Sequence, residues 1–149
     1  MNISDLSGKT ENSKIFVDTA PIIYYLEHNA GYYSRIVGFF TACYENDVLL
    51  LTSALTVEEY CAYPFIQNRP DLITNFKSFL RDYRFEIADI DTDTAYKAAE
   101  LRGRYPYFKA FDSVQLSAAI RCGADIFVTN DRQLRQCGEI TVTLVDEMA

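Results

Sequence analysis

Four acidic residues stand where apolar runs of the chain give way to polar turns. Asp18 directly follows Ile15-Phe16-Val17, and Asp131 closes Ile126-Phe127-Val128-Thr129-Asn130. Val48-Leu49-Leu50-Leu51-Thr52 leads within seven residues to the pair Glu58-Glu59, and Asp112 opens an apolar-patterned stretch over 113–120. Taken singly, each acid reads as part of a helix start. Asp is a favoured N-cap, and Asp112 with Gln115, like Thr56 with Glu59, has the spacing of a capping box. Taken together, the same carboxylates offer different chemistry. Like charges that converge without a cation raise one another's pKa values, so a converging set holds a metal ion. With no His or Cys among them, the ligands favour Mg²⁺ or Mn²⁺ over zinc. One or two such ions suit phosphodiester hydrolysis, activating water and stabilising the leaving oxygen.

Other chemistries find little support. His28 is the only histidine, so a Ser-His-Asp or Cys-His mechanism would rest on it alone. Cys43, Cys61, Cys122 and Cys137 form no C-x-x-C pair and read as small buried apolar groups. Gly8-Lys9-Thr10 lacks the upstream glycine and strand of a phosphate-binding loop. No second Asp follows Asp18 by two residues, as an aspartyl-phosphate phosphatase would need, and the paired early acids of a response-regulator receiver are missing.

The elements that must position the acids alternate. Short apolar runs at 14–17, 48–52, 126–129 and 140–145, with an alternating run at 85–90, predict five strands. Between them, helical spacing predicts helices over 21–28, from Gly31 to about Asn46, over 53–63 with a stop before Pro64, and from Pro70 to Tyr83. A further helix runs from Asp91 or Thr92 to Arg102, broken by Gly103 and Pro106, and the last begins at Asp112 and stops at Gly123. Strand–helix alternation without hairpin signals implies a parallel sheet covered on both faces. The carboxyl ends of such strands open on one edge, where ligands gather. Asp18, Glu59 and Asp131 can therefore approach each other, and Asp112 joins them if its helix starts over that edge.

A chain of 149 residues, 49% apolar and 23% charged, suits one globular domain over 14–149, preceded by a polar extension over 1–13. That extension has no apolar core of a signal peptide, and no run approaches a membrane span, so a cytoplasmic protein is expected. The net charge of −7 argues at face value against nucleic acid as a partner. Setting four carboxylates aside for bound cations leaves only a mild surplus. Lys77, Arg81 and Arg84 share one helix face, whereas Arg104 and Lys109 lie nearer the acids and are the better candidates for phosphate contacts. Tyr24, Tyr25, Tyr32 and Tyr33 suit base stacking, a protein surface or the core.

Phe16-Val17-Asp18-Thr19, Thr56-x-x-Glu59, 111–119 and Phe127-Val128-Thr129-Asn130-Asp131 resemble the four acidic motifs of PIN-domain ribonucleases. The order, spacing and length look most like the VapC-type toxins of toxin–antitoxin pairs, over nearly everything from Lys14 to Val145. The resemblance implies a three-layer α/β/α sandwich and Mg²⁺- or Mn²⁺-dependent endoribonuclease activity. Carried over, Asp18, Glu59 and Asp112 are the primary metal-binding and catalytic acids and Asp131 the fourth. Thr19 becomes a supporting hydroxyl, and Thr129 and Asn130 orient Asp131 or the water. Motif alignment selects Glu59 over Glu58, a choice that helical spacing leaves open. Ala20 and Leu134 depart from the family, which usually has a polar and often an aromatic residue there. The implied partners are RNA and a cognate antitoxin, and the implied assembly is a homodimer. The alternatives are a PIN nuclease of RNA processing and a catalytically inactive PIN-fold interaction module.

Overall fold

Ile15, Phe16 and Val17 have no solvent exposure and form the centre of a five-stranded parallel sheet. The computed structural model describes residues 13–148. Of the predicted polar extension only Ser13 falls among them; it is buried, and its carbonyl accepts from the Leu49 N–H. Strand β1 (Lys14–Val17) leads to helices α1 (Thr19–Leu26) and α2 (Tyr33–Glu45). Strand β2 (Leu49–Ser53) follows, then α3 (Ala54–Ile66), α4 (Pro70–Asp82) and the short β3 (Glu86–Ala88). Helices α5 (Thr92–Arg104) and α6 (Ala110–Arg121) precede β4 (Ile126–Thr129), and β5 (Thr141–Leu144) completes the sheet. Among the described residues no helix is long and apolar enough to cross a membrane.

The strand order is β3-β2-β1-β4-β5, every pair parallel. The chain builds outward from β1 through β2 to β3, then crosses back through α5 and α6 to lay β4 on the other side of β1. Strand order thus reverses between β1 and β4. In open parallel sheets the crevice at such a switch point, outside the carboxyl ends, is where ligands bind. Asp18 and Asp131 follow these two strands.

Side-chain alternation along β1 divides the core into two layers. Ile15 and Val17 pack with Ile22 of α1, Phe39 and Phe40 of α2, and Phe76, Phe79 and Leu80 of α4. Phe16 faces the other way, among Leu101 of α5, Leu116 and Ala119 of α6, and Phe127. The Phe16 and Phe127 rings stack at 5.5 Å, in register across the β1–β4 pair. Four helices on one face and two on the other make the three-layer α/β/α sandwich expected from the sequence.

Three local expectations are corrected. Helix α3 runs through Pro64 to Ile66; a proline in a last turn forfeits a single ladder bond, and here its ring is buried. Helix α5 likewise continues through Gly103 to Arg104. A Cβ added at Gly103 would meet nothing within 4 Å, so the residue is only an entropic cost. Gly103→Ala is expected to stabilise the fold by about 0.5–1 kcal/mol, read as a higher denaturation midpoint at unchanged slope. The alternating run at 85–90 forms only a three-residue strand, because β3 lies at the sheet edge and pairs with β2 alone. Ile87 and Ile90 are correspondingly exposed.

Candidate active site

Asp18 is fixed before any ligand arrives. Its N–H donates to Val128 O at 2.9 Å, extending the β1–β4 ladder by one bond. Its Oδ1 accepts from the Thr19 N–H at 2.8 Å, so the carboxylate does cap α1. Its Oδ2 accepts from Thr129 Oγ1 at 2.9 Å. Only 9% of the residue is exposed, and burial raises its pKa above the ordinary carboxylate value against the pull of these bonds, with the Glu59 charge adding to the rise.

The other three acids reach the same cleft from different elements. Glu59 projects from the second turn of α3 and accepts from Thr19 Oγ1 at 3.0 Å; desolvation and the Asp112 charge raise its pKa. Glu58 is exposed and lines no part of the cleft. Asp112 is the third residue of α6, which starts at Ala110 rather than at Asp112 itself. A helix N-terminus should favour the ionised form. Instead burial, then the charges of Asp18 and Asp131, push Asp112 up to about 6, with Lys109 partly opposing them. Asp131 follows β4 and caps the 3₁₀ turn Arg132–Gln136 by accepting from the Gln133 N–H at 3.0 Å.

The four carboxylates line one open cleft of about 570 Å³ with Thr19, Ala20, Tyr24, Thr129, Asn130 and Arg132. Beneath it lies a buried polar network centred on Gln115, which is 1% exposed. Gln115 Nε2 donates to Thr56 Oγ1 at 2.8 Å and is shared between Asp18 Oδ1 and Thr19 Oγ1, each at 3.3 Å. Gln115 Oε1 accepts from the Ser53 hydroxyl, and Thr52 Oγ1 lies 2.8 Å from Thr56 Oγ1 and 2.9 Å from Val17 O. Among the described residues no buried side-chain N or O lacks a partner. The two capping-box readings are therefore wrong: Gln115 and Thr56 turn into this network, and Glu59 reaches the cleft.

The supporting residues divide. Thr19 and Thr129 contact the acids directly, and Thr129 Oγ1 also accepts from the Asp131 N–H at 3.2 Å. Asn130 does not turn toward Asp131; its amide bonds the Tyr24 hydroxyl and the Asp146 N–H, tying the C-terminal segment to the cleft rim. Lys109 lines an adjoining lobe with Glu59, Asp112 and Asp131. Arg104 instead pairs with Glu100 and Glu139 and lines neither lobe. Gln115, Ser53, Thr52 and Arg132 were not anticipated. Arg132, directly after Asp131, was the one that proximity in sequence could have found.

The family model described as PIN domain matches residues 15–140. The chain belongs to the PIN-domain family. Three solved structures share the fold of this PIN domain. VapBC from Salmonella typhimurium bound to DNA matches with a TM-score of 0.70 at 20% identity, covering 89% of this chain and 98% of that one. VapBC2 from Rickettsia felis, bound to a DNA fragment from its promoter, gives 0.69 at 18%, covering 88% and 98%. The sarcin-ricin loop cleaving toxin VapC20 of Mycobacterium tuberculosis gives 0.68 at 12%, covering 85% and 96%. A search of curated protein sequences returned no match.

Among the described residues no three His, Cys, Asp or Glu side chains are grouped closely enough to hold a metal ion between them. A hard cation of the Mg²⁺ type keeps several waters and binds through one or two carboxylates plus substrate phosphates. The donor set fits: it is all oxygen, burial and then the neighbouring like charges raise the pKa values of Asp18, Glu59 and Asp112, and it opens onto solvent.

Proposed function

We propose that this PIN domain is a metal-dependent endoribonuclease that hydrolyses RNA phosphodiester bonds, with Asp18, Glu59, Asp112 and Asp131 holding Mg²⁺ or Mn²⁺. The observation that carries the reading is the convergence of four carboxylates at the sheet's switch point, three of them (Asp18, Glu59 and Asp112) at raised pKa, with no His or Cys beside them. When bound, the ion supplies Lewis-acid stabilisation of phosphoryl charge and a more acidic water. The chain's own part is to keep the acids in place. Thr129 and the Thr19 N–H hold both oxygens of Asp18, and the Thr19 hydroxyl steers Glu59 inward. Arg132, paired at 3.7 Å with Asp146, lines one lobe of the cleft and Lys109 the other, each a cation for phosphates flanking the scissile bond.

The role we infer is that of a cytoplasmic toxin, acting as a homodimer and held in check by a cognate antitoxin. Two VapBC complexes with this fold support the partner. A groove of about 220 Å³ lined by Ile23, Leu26, Tyr60, Tyr63, Pro64 and Leu72 adjoins Glu59, and an apolar helix face seated there would lie beside the acids.

Incubation with RNA and Mg²⁺ or Mn²⁺ is expected to give endonucleolytic cuts that a chelator abolishes. Asp18→Asn keeps the shape and the cap but removes the charge, and is expected to lose cleavage by on the order of 10²-fold or more. Wild-type rates in the variant would overturn the metal-site reading. Growth arrest on expression, relieved by the neighbouring gene's product, would separate a toxin from a processing enzyme.

A further inference from the structure

The cleft continues past Glu59, Asp112 and Asp131 into a second lobe of about 460 Å³, whose far wall is Lys109, Ala110 and Phe111. Phe111 is the second residue of α6 and directly precedes Asp112. The aromatic residues just before it are engaged: Tyr105 and Tyr107 pack on Phe108, which is buried. Phe111 is 56% exposed, and among the described residues no other ring contacts it. Lys109 is also available. Arg104 is held by Glu100 and Glu139, whereas Lys109 has no salt bridge among the described residues and its charge is felt at Asp112.

An exposed aromatic face, a cation and the acids of the cleft thus share one wall. We propose that the Phe111 ring is the stacking platform for one unpaired nucleobase of the RNA strand bound across the cleft, with Lys109 Nζ on the adjoining phosphate. The inference rests on the endoribonuclease reading and deepens it. Three acids border both lobes, so the stacked base belongs to a nucleotide next to the scissile bond. A ring face is offered only to a base outside a duplex, so single-stranded or looped RNA is taken in preference to a perfect helix. Every base has a π-face, so the contact tolerates sequence. An apolar protein side chain would also cover a ring, but it would give Lys109, which makes no salt bridge among the described residues, no acceptor; a phosphate gives it one.

The test uses a short unstructured RNA carrying 2-aminopurine near the cleaved bond. Phe111→Ala is expected to raise KM roughly ten-fold with kcat little changed. Phe111→Trp should restore KM, and Phe111→Leu, apolar but without a π-face, should not. In a chelating buffer, where nothing is cut, wild type and Phe111→Trp should quench 2-aminopurine fluorescence and Phe111→Ala should not. Unchanged KM and unchanged quenching in Phe111→Ala, from a protein that does cut RNA, overturn the stacking role. A wild type that cuts no RNA with either metal fails the endoribonuclease reading instead, and the quenching still reports separately on Phe111.

Discussion

Asp112→Asn is expected to slow RNA cleavage by on the order of 10²-fold or more and, in the absence of divalent metal, to make the protein more stable near neutral pH. Both effects come from one carboxylate. Asp112 is held partly buried beside Asp18 and Asp131, and its pKa is pushed from 3.8 up to about 6. An acid with a raised pKa favours folding in its protonated form. Its contribution is fully present below about pH 4 and is lost as pH rises through about 6. Near pH 7 the ionised side chain therefore weakens the metal-free fold, by on the order of 1–2 kcal/mol once the screening of an open cleft is allowed for. The neutral amide removes the cost of burying the charge and the repulsion from Asp18 and Asp131, so the melting temperature should rise by about 3–6 °C in a domain of this size. Between about pH 5 and pH 7 the wild type should lose more stability than the variant. Added Mg²⁺ or Mn²⁺ should raise the wild-type melting temperature, since a ligand that binds only the folded state stabilises it, and should move the variant little. Cleavage should fall by on the order of 10²-fold or more. A variant less stable than wild type at neutral pH without metal would show that Asp112 makes a favourable contact, and would refute the account of a destabilising buried charge.

The architecture was legible because it depends on strong local signals. Ile15-Phe16-Val17 and Ile126-Phe127-Val128 are too short and too β-branched or aromatic for helices, and both are buried on two faces. A parallel sheet then forces their carboxyl ends to one edge, which is how Asp18 and Asp131 could be paired across more than a hundred residues of sequence. The elements that went wrong are those where tertiary context outweighs local preference. Pro64 and Gly103 sit in last turns, where a missing bond or lost entropy is a small term beside helix packing. The three-residue β3 is an edge whose length depends on one neighbour. Asp112 begins no helix, because Ala110 and Phe111 have no signal that sets a start, and Lys109 makes no side-chain cap. Above all, Gln115 looked like a capping partner by spacing alone. Its three-residue distance from Asp112 fits a capping box, but a helix side chain that faces a sheet cannot also turn back to its own N-terminus. Which of the two it does is set by Ser53 and Thr56, sixty residues away in the chain and invisible to any window. Arg104 shows the same limit: closeness in sequence to Asp112 said nothing of Glu139, with which it pairs.

Gln115→Leu should be the most damaging substitution that leaves all four acids intact. Leucine keeps most of the volume, so no large cavity explains the loss. The amide is what disappears: an acceptor for Ser53 and donors for Thr56, Thr19 and Asp18. These partners are buried, and buried polar groups left without a bond each cost about 1–3 kcal/mol. Some of them still have other partners, so a net loss of about 2–4 kcal/mol is expected in chemical denaturation. Activity should fall with stability, by roughly 10–100-fold under conditions where the variant is folded, because Asp18 loses one of the groups that fix its rotamer. The network makes a sharper prediction than either number. Thr56→Val removes the partner that Gln115 Nε2 approaches most closely, at 2.8 Å. If the groups act as one unit, Gln115→Leu and Thr56→Val together should cost less than the sum of the two alone, by about 0.5 kcal/mol or more, as residues sharing a hydrogen-bond network do. Strict additivity would mean that the hydroxyls find other partners when the amide goes. The rigidity of Asp18 would then rest on Thr129 and the Thr19 N–H alone.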